Sequence, residues 1–388
     1  MRRVLFLAPQ PFYAWRGSPI RVGYDLQALA MLGYEIDLVT LPIGRPWSHD
    51  GVRIHRLSNP FGVERVPIGP SWPKLCFDFL MMFKVAALLR RNRYDVIHGV
   101  EEAGAIAAWF GRGRAAVVYE KHSDPQSHRD SAFVNAVLWV YARVERWTAR
   151  RAHAVVGTGP GLVEQMGDVA PGRVHQISDI PSSLEEPRDE AVAAVRRQLD
   201  PRGDAVVIAY VGSYAVYQGV DLMFESIPLV LAKHPHARFL IIGGQPSDVA
   251  ERRAWLQGRG VEAAVTFIER VPPEELPAYL RASDILLSPR MQGINTPLKV
   301  LDYFKAGRAV LASDTASNRL LLDERVAMLA APRATAFAAG MTRLIEDRVL
   351  REKLGKAGRQ LIDTTYNFPE FRRQLEACYV SALRNAGR

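Results

Sequence analysis

Two stretches of this 388-residue chain place small residues and cations where an anion could be held. The first runs Tyr210-Val211-Gly212-Ser213-Tyr214 and continues to Gln218-Gly219-Val220-Asp221. It is an apolar run, a glycine-containing loop and then a helical pattern. Glycine lets the backbone approach a ligand closely, and the helix that follows offers free N–H groups and partial positive charge. The second stretch runs from Arg290 through Asn295, Thr296 and Pro297 to Lys299 and Asp302, after an apolar run ending at Ser288. Asn295 or Thr296 suits an N-cap, and Pro297 suits the first helical position. Lys299 then falls in the first turn, where a cation opposes the helix dipole unless an anion lies nearby. Asp302, three residues on, shares roughly the same face, so a surface Lys–Asp pair is the alternative.

The N-terminal half has a shorter turn of the same kind, Arg16-Gly17-Ser18, before a helical pattern. It reads as a second anion-holding turn or simply as a tight turn. It is not GxGxxG, so no dinucleotide fingerprint is present. His98 follows Val96–Ile97 and leads into Glu101 and Glu102, and His122 follows Val117–Glu120. At strand carboxyl ends, both histidines could face a ligand cleft and serve at a reacting centre; a structural role is the alternative. His128 and His175 carry no such pattern. The cysteines, Cys76 and Cys378, form no CxxC or Cys/His cluster, so no structural zinc is expected and a reducing compartment fits.

The elements that must position these residues are legible from periodicity. Strands are expected at Val4–Ala8, Ile36–Val39, Val52–His55, Val96–Ile97, Ala116–Tyr119 and Ala154–Val156. Helices are expected at Arg21–Leu32, Lys74–Arg91 and Phe133–Ala152. After a Pro-containing, charged linker over Asp179–Pro201 with one helix, the pattern resets. Strands follow at Ala205–Val211, Arg238–Ile242, Val265–Ile268, Ile285–Ser288 and Ala309–Ala312. The helices between them are Gly219–Leu231, Pro273–Ala282 and Pro297–Ala306, and three more close the chain: Thr335–Glu346, Leu350–Ile362 and Glu370–Leu383. Alternating strands and helices imply parallel sheets covered on both faces, and ligands at the strand carboxyl ends. The expected architecture is α/β: two tandem Rossmann-like, doubly wound domains facing a central cleft.

Composition narrows the classes. Hydrophobic residues make up 48% and charged residues 23%, enough for cores and a solvated surface. The net charge is +9, and residues 1–180 hold 22 Lys/Arg against 16 Asp/Glu. Six of the seven tryptophans also fall there, which suits nucleic acid, an anionic membrane surface or an anionic substrate as well as plain composition. A nucleic-acid binder would need a longer basic run with interleaved aromatics than Arg90-Arg91-Asn92-Arg93. Val4–Ala8 is too short for a signal-peptide core, and Leu75–Leu89 is interrupted by Asp78 and Lys84 and too short to span a bilayer. The expected location is the cytoplasm, with peripheral contact at the inner membrane face as the sharper reading of the apolar Lys74–Arg91 helix.

The stretch Ser288–Ser313 resembles the signature of retaining GT-B glycosyltransferases of the family 4 type, E-A-M-A-x-G-x-P-V-V-A-(S/T). Here it reads Asp302-Tyr303-Phe304-Lys305-Ala306-Gly307-Arg308-Ala309-Val310-Leu311-Ala312-Ser313. Pro272–Asp284, Val211–Asp221, Leu240–Gly244 and Gly17–Thr40 resemble other family segments in the same order. The resemblance implies an N-terminal acceptor-side domain at 1–180, with the terminal helix at 370–386 packed back on it, and a nucleotide-sugar domain at 181–369. It implies transfer from a nucleotide-diphosphate sugar to a glycan, lipid-linked or small-molecule acceptor, with retention, no metal and no cofactor. Asp302 takes the place of the second acid of the family's E-x7-E motif, which holds the ribose; the first acid falls at Ile294. Arg270 lies where the family's loop passes the base. The family's loop Arg and Lys fall at Ser213 and Gln218, both neutral, so Arg290 and Lys299 are the candidate replacements, in a donor-phosphate set with Gly17, Ser18, Ser213, Gln218, Gly219, Asn295 and Thr296. His122 matches the family's sugar-contacting histidine, and Glu101 and Glu102 are further catalytic candidates. Two alternatives remain: a sugar-nucleotide 2-epimerase of the same fold, and a two-lobed binding protein without catalysis.

Overall fold

The computed structural model describes residues 1–14, 17–60, 62–64, 66, 71–124, 132–293 and 297–388. Asn295, Thr296, Ile294 and His128, singled out above, lie outside the described residues. The chain divides into two compact units, residues 1–179 with 368–388, and residues 180–367.

Unit 1 contains β1 (Arg3–Ala8), α1 (Gly17–Met31), β2 (Glu35–Thr40), β3 (Val52–Arg56), α2 (Trp72–Arg91), β4 (Val96–Val100), α3 (Ala103–Gly111), β5 (Ala116–Lys121), α4 (Ala132–Arg151), β6 (Ala154–Gly157), α5 (Pro160–Gly167) and β7 (Val174–Gln176). Its sheet has the order β3-β2-β1-β4-β5-β6-β7, with every pair parallel. β1, β4 and β5 are buried along almost their whole length, as their unbroken apolar runs require of strands covered on both faces. The order reverses between β1 and β4. That brings the β1–α1 connection, with Gly17 and Ser18, beside the end of β4, with Glu101 and Glu102.

Unit 2 contains α6 (Asp189–Leu199), β8 (Val207–Val211), α7 (Val220–Leu231), β9 (Arg238–Ile242), α8 (Pro246–Gln257), β10 (Val265–Ile268), α9 (Leu276–Ala282), β11 (Ile285–Ser288), α10 (Leu298–Lys305), β12 (Ala309–Ser313), α11 (Ala316–Arg319), β13 (Met328–Ala330), α12 (Ala334–Glu346) and α13 (Arg348–Thr364). Its parallel sheet runs β10-β9-β8-β11-β12-β13, reversing between β8 and β11. The last helix, α14 (Phe368–Asn385), belongs to unit 1 and buries Phe371, Leu375, Cys378 and Tyr379.

Three expectations need correction. β4 and β5 run past their expected ends, so His98 is not at a strand terminus; it lies inside β4, fully buried opposite Phe6. α10 begins at Leu298 with Pro297 as its N-cap, one residue later than the proline rule gives. α9 begins at Leu276, because Pro272-Pro273 and the residues after it form a turn first. The helix read as Lys74–Arg91 is half core and half surface: Phe77, Met81, Val85 and Leu88 are buried, while Trp72, Leu75, Phe79 and Phe83 are exposed.

Candidate functional site

In unit 2 the two anion-suited stretches meet at the reversal between β8 and β11. Gly212, which follows β8, has φ +151, and a Cβ there would lie 2.9 Å from the Lys299 Nζ. Gly219, at the N-cap of α7, has φ +67, and a Cβ there would lie 2.0 Å from the Pro289 carbonyl oxygen. Both glycines are therefore required by a close approach and a backbone conformation that other residues resist.

Lys299, on the first turn of α10, donates to Gln218 Oε1 at 2.7 Å and lies 4.3 Å from the centre of the Tyr210 ring. It forms no pair with Asp302; the i, i+3 alternative is not taken. Burial, with the Arg290 guanidinium as a second cause, lowers the Lys299 ammonium to about 7. Arg290 is itself buried, donates through Nε to the Gln292 carbonyl at 2.8 Å, and is also lowered by burial. Among the described residues neither cation forms an ion pair. Two desolvated cations side by side, at a strand reversal and beside a helix N-terminus, carry a desolvation cost that an anion would offset. Gln218 accepts from Lys299, and Ser213 offers its carbonyl to the Tyr210 hydroxyl at 2.8 Å.

The backbone that carries Arg290 is held by residues the sequence reading missed. Asn318, fully buried, donates to the Ser313 carbonyl at 2.8 Å and lies 3.2 Å from Ser288 Oγ. Thr315 Oγ1 donates to the Arg290 carbonyl at 3.1 Å. Tyr303 Oη accepts from the Val211 N–H at 3.0 Å and so ties α10 to the end of β8. Asp302 faces elsewhere: its two oxygens accept from Ser182 N–H at 2.7 Å and Ser182 Oγ at 2.8 Å. Burial raises it to about 6 against those two bonds. Arg270 stands exposed after β10, the edge strand, two strands from β8, and is not gathered with Lys299 and Arg290.

In unit 1 the structure joins His122 to Ser18: His122 Nδ1 and Ser18 Oγ are 2.9 Å apart. His122 Nε2 lies 3.0 Å from Glu120 Oε1, so both ring nitrogens face partners within the unit. Glu120 is fully buried and is the hub of a charge network. Arg21 of α1 pairs with it and, through Nη1, with Asp179 at 3.0 Å. His98 Nε2 lies 2.8 Å from its other oxygen, and His98 Nδ1 is 2.7 Å from the Tyr379 hydroxyl of α14. Burial opposes the Glu120 charge, yet Arg21 and the two histidines hold it well below the usual carboxylate range. Asp25, also fully buried, is raised well above that range by burial and by Glu120.

Glu101 has φ +50, the one positive value among the described non-glycine residues. Its Oε1 accepts from the His122 N–H at 3.0 Å and from Ser123 Oγ at 2.9 Å, and burial raises its carboxyl. Glu102 pairs with Lys74 of α2 at 2.6 Å. Ser18, His122 and Glu101 are thus brought together through direct contacts. The one available signal for Glu120 was its two-residue offset from His122, which puts both side chains on the same side of an extended chain.

The group 1 glycosyltransferase model matches residues 205–347, and the glycosyl transferase 4-like domain model matches residues 16–179. The chain belongs to the group 1 glycosyltransferases of the family 4-like type. Among relatives of this family, the phosphatidyl-myo-inositol mannosyltransferase of Mycobacterium tuberculosis is 28% identical over 187 residues, 46% of this chain. That alignment spans 48% of the relative, so the chain matches about half the length of the mycobacterial protein. Sucrose-phosphate synthase from Thermosynechococcus elongatus superimposes with a TM-score of 0.76 at 21% identity, covering 98% of each chain. HepE of Anabaena, solved in complex with UDP-glucose, gives 0.72 at 16% identity, covering 98% of this chain and all of that one. At these identities the structural matches speak to fold, and the fold of this glycosyltransferase-family chain is the two-domain, Rossmann-like GT-B fold.

Proposed function

We propose that the protein is a retaining glycosyltransferase that uses a nucleotide-diphosphate sugar and needs no metal. The observation that carries this reading is the pair of desolvated cations, Arg290 and Lys299, without an ion-pair partner among the described residues, beside the N-terminus of α10. Bond breaking at a sugar nucleotide leaves a diphosphate, and preorganised cations and N–H groups stabilise that charge without reorganising during the reaction. Lys299 takes the diphosphate directly, with Gln218 steering its ammonium; Arg290 supplies the second charge. Gly212 and Gly219 keep side chains away from the approaching phosphates, and the Ser213 and Gly219 backbone lines the same turn. Asn295 and Thr296 are proposed to add to this phosphate site, Asp302 to hold ribose hydroxyls and Arg270 to pass the base, following the family pattern.

In unit 1 we assign His122, held between Glu120 and Ser18, and the adjoining Glu101 and Glu102 to the sugar and acceptor. Gly17 and Ser18 lie at the N-terminus of α1, where backbone N–H groups suit a phosphate oxygen. Retention follows the family: attack from the face the diphosphate leaves, with that diphosphate assisting removal of the acceptor proton. The solved relative that holds UDP-glucose supports a uridine donor among the candidates, and the lipid acceptor named for the mycobacterial relative supports a lipid-linked acceptor. The exposed aromatic stripe of α2 with Arg90 and Arg91 at its end suits peripheral contact with an anionic membrane. Among the described residues no helix is long and apolar enough to cross a membrane.

The test is a thermal-shift panel of nucleotide sugars, because a true donor binds only the folded state. The donor found is then incubated with and without acceptors and its products are resolved by mass. One nucleotide sugar should shift the transition, and sugar should move to an acceptor. A changed sugar nucleotide formed without acceptor would make the protein an epimerase. Binding without any turnover would make it a binding protein.

A further inference from the structure

A chain of close polar contacts runs through the interior of unit 1 from its last helix to the site. The Tyr379 hydroxyl of α14 lies 2.7 Å from His98 Nδ1. His98 Nε2 lies 2.8 Å from one Glu120 oxygen, and His122 Nε2 lies 3.0 Å from the other. His122 Nδ1 ends the chain, 2.9 Å from Ser18 Oγ. Tyr379, His98 and Glu120 are fully buried and His122 is nearly so, which shields these contacts from bulk water and strengthens them.

The donors and acceptors in this chain allow one arrangement of protons. Burial opposes the charge of Glu120, but Arg21 and the two histidines hold it, and a carboxylate only accepts. A bare imidazole nitrogen this close would set its lone pair against that charge, so each histidine carries a proton on the Nε2 that faces Glu120. Burial lowers His98 and keeps its ring neutral, which leaves its Nδ1 bare. Burial raises Tyr379 well above the ordinary phenol range, so its hydroxyl keeps its proton and donates to that nitrogen. His98 is thereby locked as a donor to Glu120 and takes up part of a charge that would otherwise fall on His122. With its own proton on Nε2, a neutral His122 turns a bare Nδ1 to Ser18, whose hydroxyl donates. Arg21 and Asp25 of α1, Asp179, Glu101, Tyr34 and, from α14, Cys378 also act on these groups.

We propose that Tyr379 and His98 are positioning residues: by engaging one oxygen of Glu120 they hold His122 in its neutral Nε2–H form, with Nδ1 ready to accept a hydroxyl proton where Ser18 now donates. The ligand group that His122 receives is then a sugar hydroxyl that gives its hydrogen, and a carboxylate in that place would meet a lone pair. This deepens the assignment of His122 to the sugar and rests on it. The test is imidazole 15N spectroscopy of the full, ligand-free chain from about pH 6 to about pH 9, with His122 assigned by the signals lost in His122→Gln. At the alkaline end the parent should show a pyrrole-type Nε2 and a pyridine-type Nδ1 for His122. The double variant His98→Phe with Tyr379→Phe removes both polar groups of their contact together and leaves more of the Glu120 charge to His122. Its His122 should therefore hold a second proton to higher pH, by about one unit. His98→Gln, whose amide donates to Glu120 in place of the ring N–H, should restore the parent midpoint. A purely structural role would lower the melting temperature without moving that midpoint. A pyrrole-type Nδ1 in the parent, an unmoved midpoint in the double variant, or the same shift in His98→Gln would overturn the assignment. Should the double variant not fold, the parent pattern and Tyr379→Phe, expected to move the midpoint in the same direction, decide it. The spectra need no substrate, so their failure strikes the positioning role alone; the expected spectra with no nucleotide sugar bound in the thermal-shift panel strike the glycosyltransferase reading instead.

Discussion

Raising the pH from 7 to 8 should weaken UDP binding about fivefold through Lys299 alone, because the charged fraction of a group with a pKa of about 7 falls from about a half to about a tenth. The cause is structural. Lys299 sits among Tyr210, Gln218 and Arg290 with no carboxylate paired to it among the described residues, so burial and the neighbouring guanidinium drive it toward neutrality. An anion reverses that balance and binds best when Lys299 is charged. The ligand-free protein should show the opposite trend. In the unfolded chain the lysine titrates near 10.5, so from pH 7 toward 10.5 the unfolded state holds a proton that the folded state does not. Stability from this group therefore rises with pH across that window. Lys299→Met keeps the length and removes the charge. At pH 7 it should lose a charge-assisted hydrogen bond of about 1.5–3 kcal/mol, about 10- to 150-fold in affinity. Turnover should fall by orders of magnitude with the fold intact. The assay is calorimetric titration of UDP at pH 7.0, 7.5 and 8.0, a window that begins above the second phosphate ionisation near pH 6. Binding that is flat across the window, or the same slope in Lys299→Met, would refute the argument.

Three further outcomes are expected. Glu120→Gln removes the anion shared by Arg21, His98 and His122, leaving a buried guanidinium short of charge; urea unfolding should show a loss of about 3 kcal/mol, and a loss under about 1 kcal/mol would mean the network does not stabilise the unit. Gly219→Ala places a methyl group against the Pro289 carbonyl at a left-handed φ, so stability should drop by about 1–3 kcal/mol and UDP should bind more weakly; an unchanged melting temperature would contradict it. The double substitution Phe79→Glu and Phe83→Glu alters only exposed positions and should change stability by under about 0.5 kcal/mol. It should abolish flotation with vesicles containing anionic lipid, and equal flotation of the variant and the parent would refute the membrane contact.

Most strands were legible because a parallel strand covered on both faces is a plain apolar run, as in Val4–Ala8 and Ile285–Ser288. β7 and β13, three residues each, were not, since so short a run has no readable period. The ends of β4 and β5 were misjudged for a different reason. His98, Glu120 and Lys121 are polar, and polarity normally marks a strand's end; here each is buried with a hydrogen-bonding or charged partner, so the strands continue. The Lys299–Asp302 pair failed similarly. Spacing brings the two residues within reach, but Ser182 offers Asp302 two bonds at once and Gln218 takes Lys299.

The sequence by itself determined the doubly wound class and the two-part organisation of the strands, and it marked the loops after Val211 and Ser288 as candidates for holding an anion. Those follow from periodicity and turn chemistry, which are local. Only the tertiary structure decided that Lys299 and Arg290 lie together with no ion-pair partner among the described residues, that Glu120 rather than a solvent-facing acid orients His122, and that Glu101, Glu102 and Glu145 share one cavity with the α4 valines. Each of these depends on which distant side chains burial brings together. The energy of a charge is set by those neighbours and by the water they exclude, and neither is written in the spacing of residues along the chain.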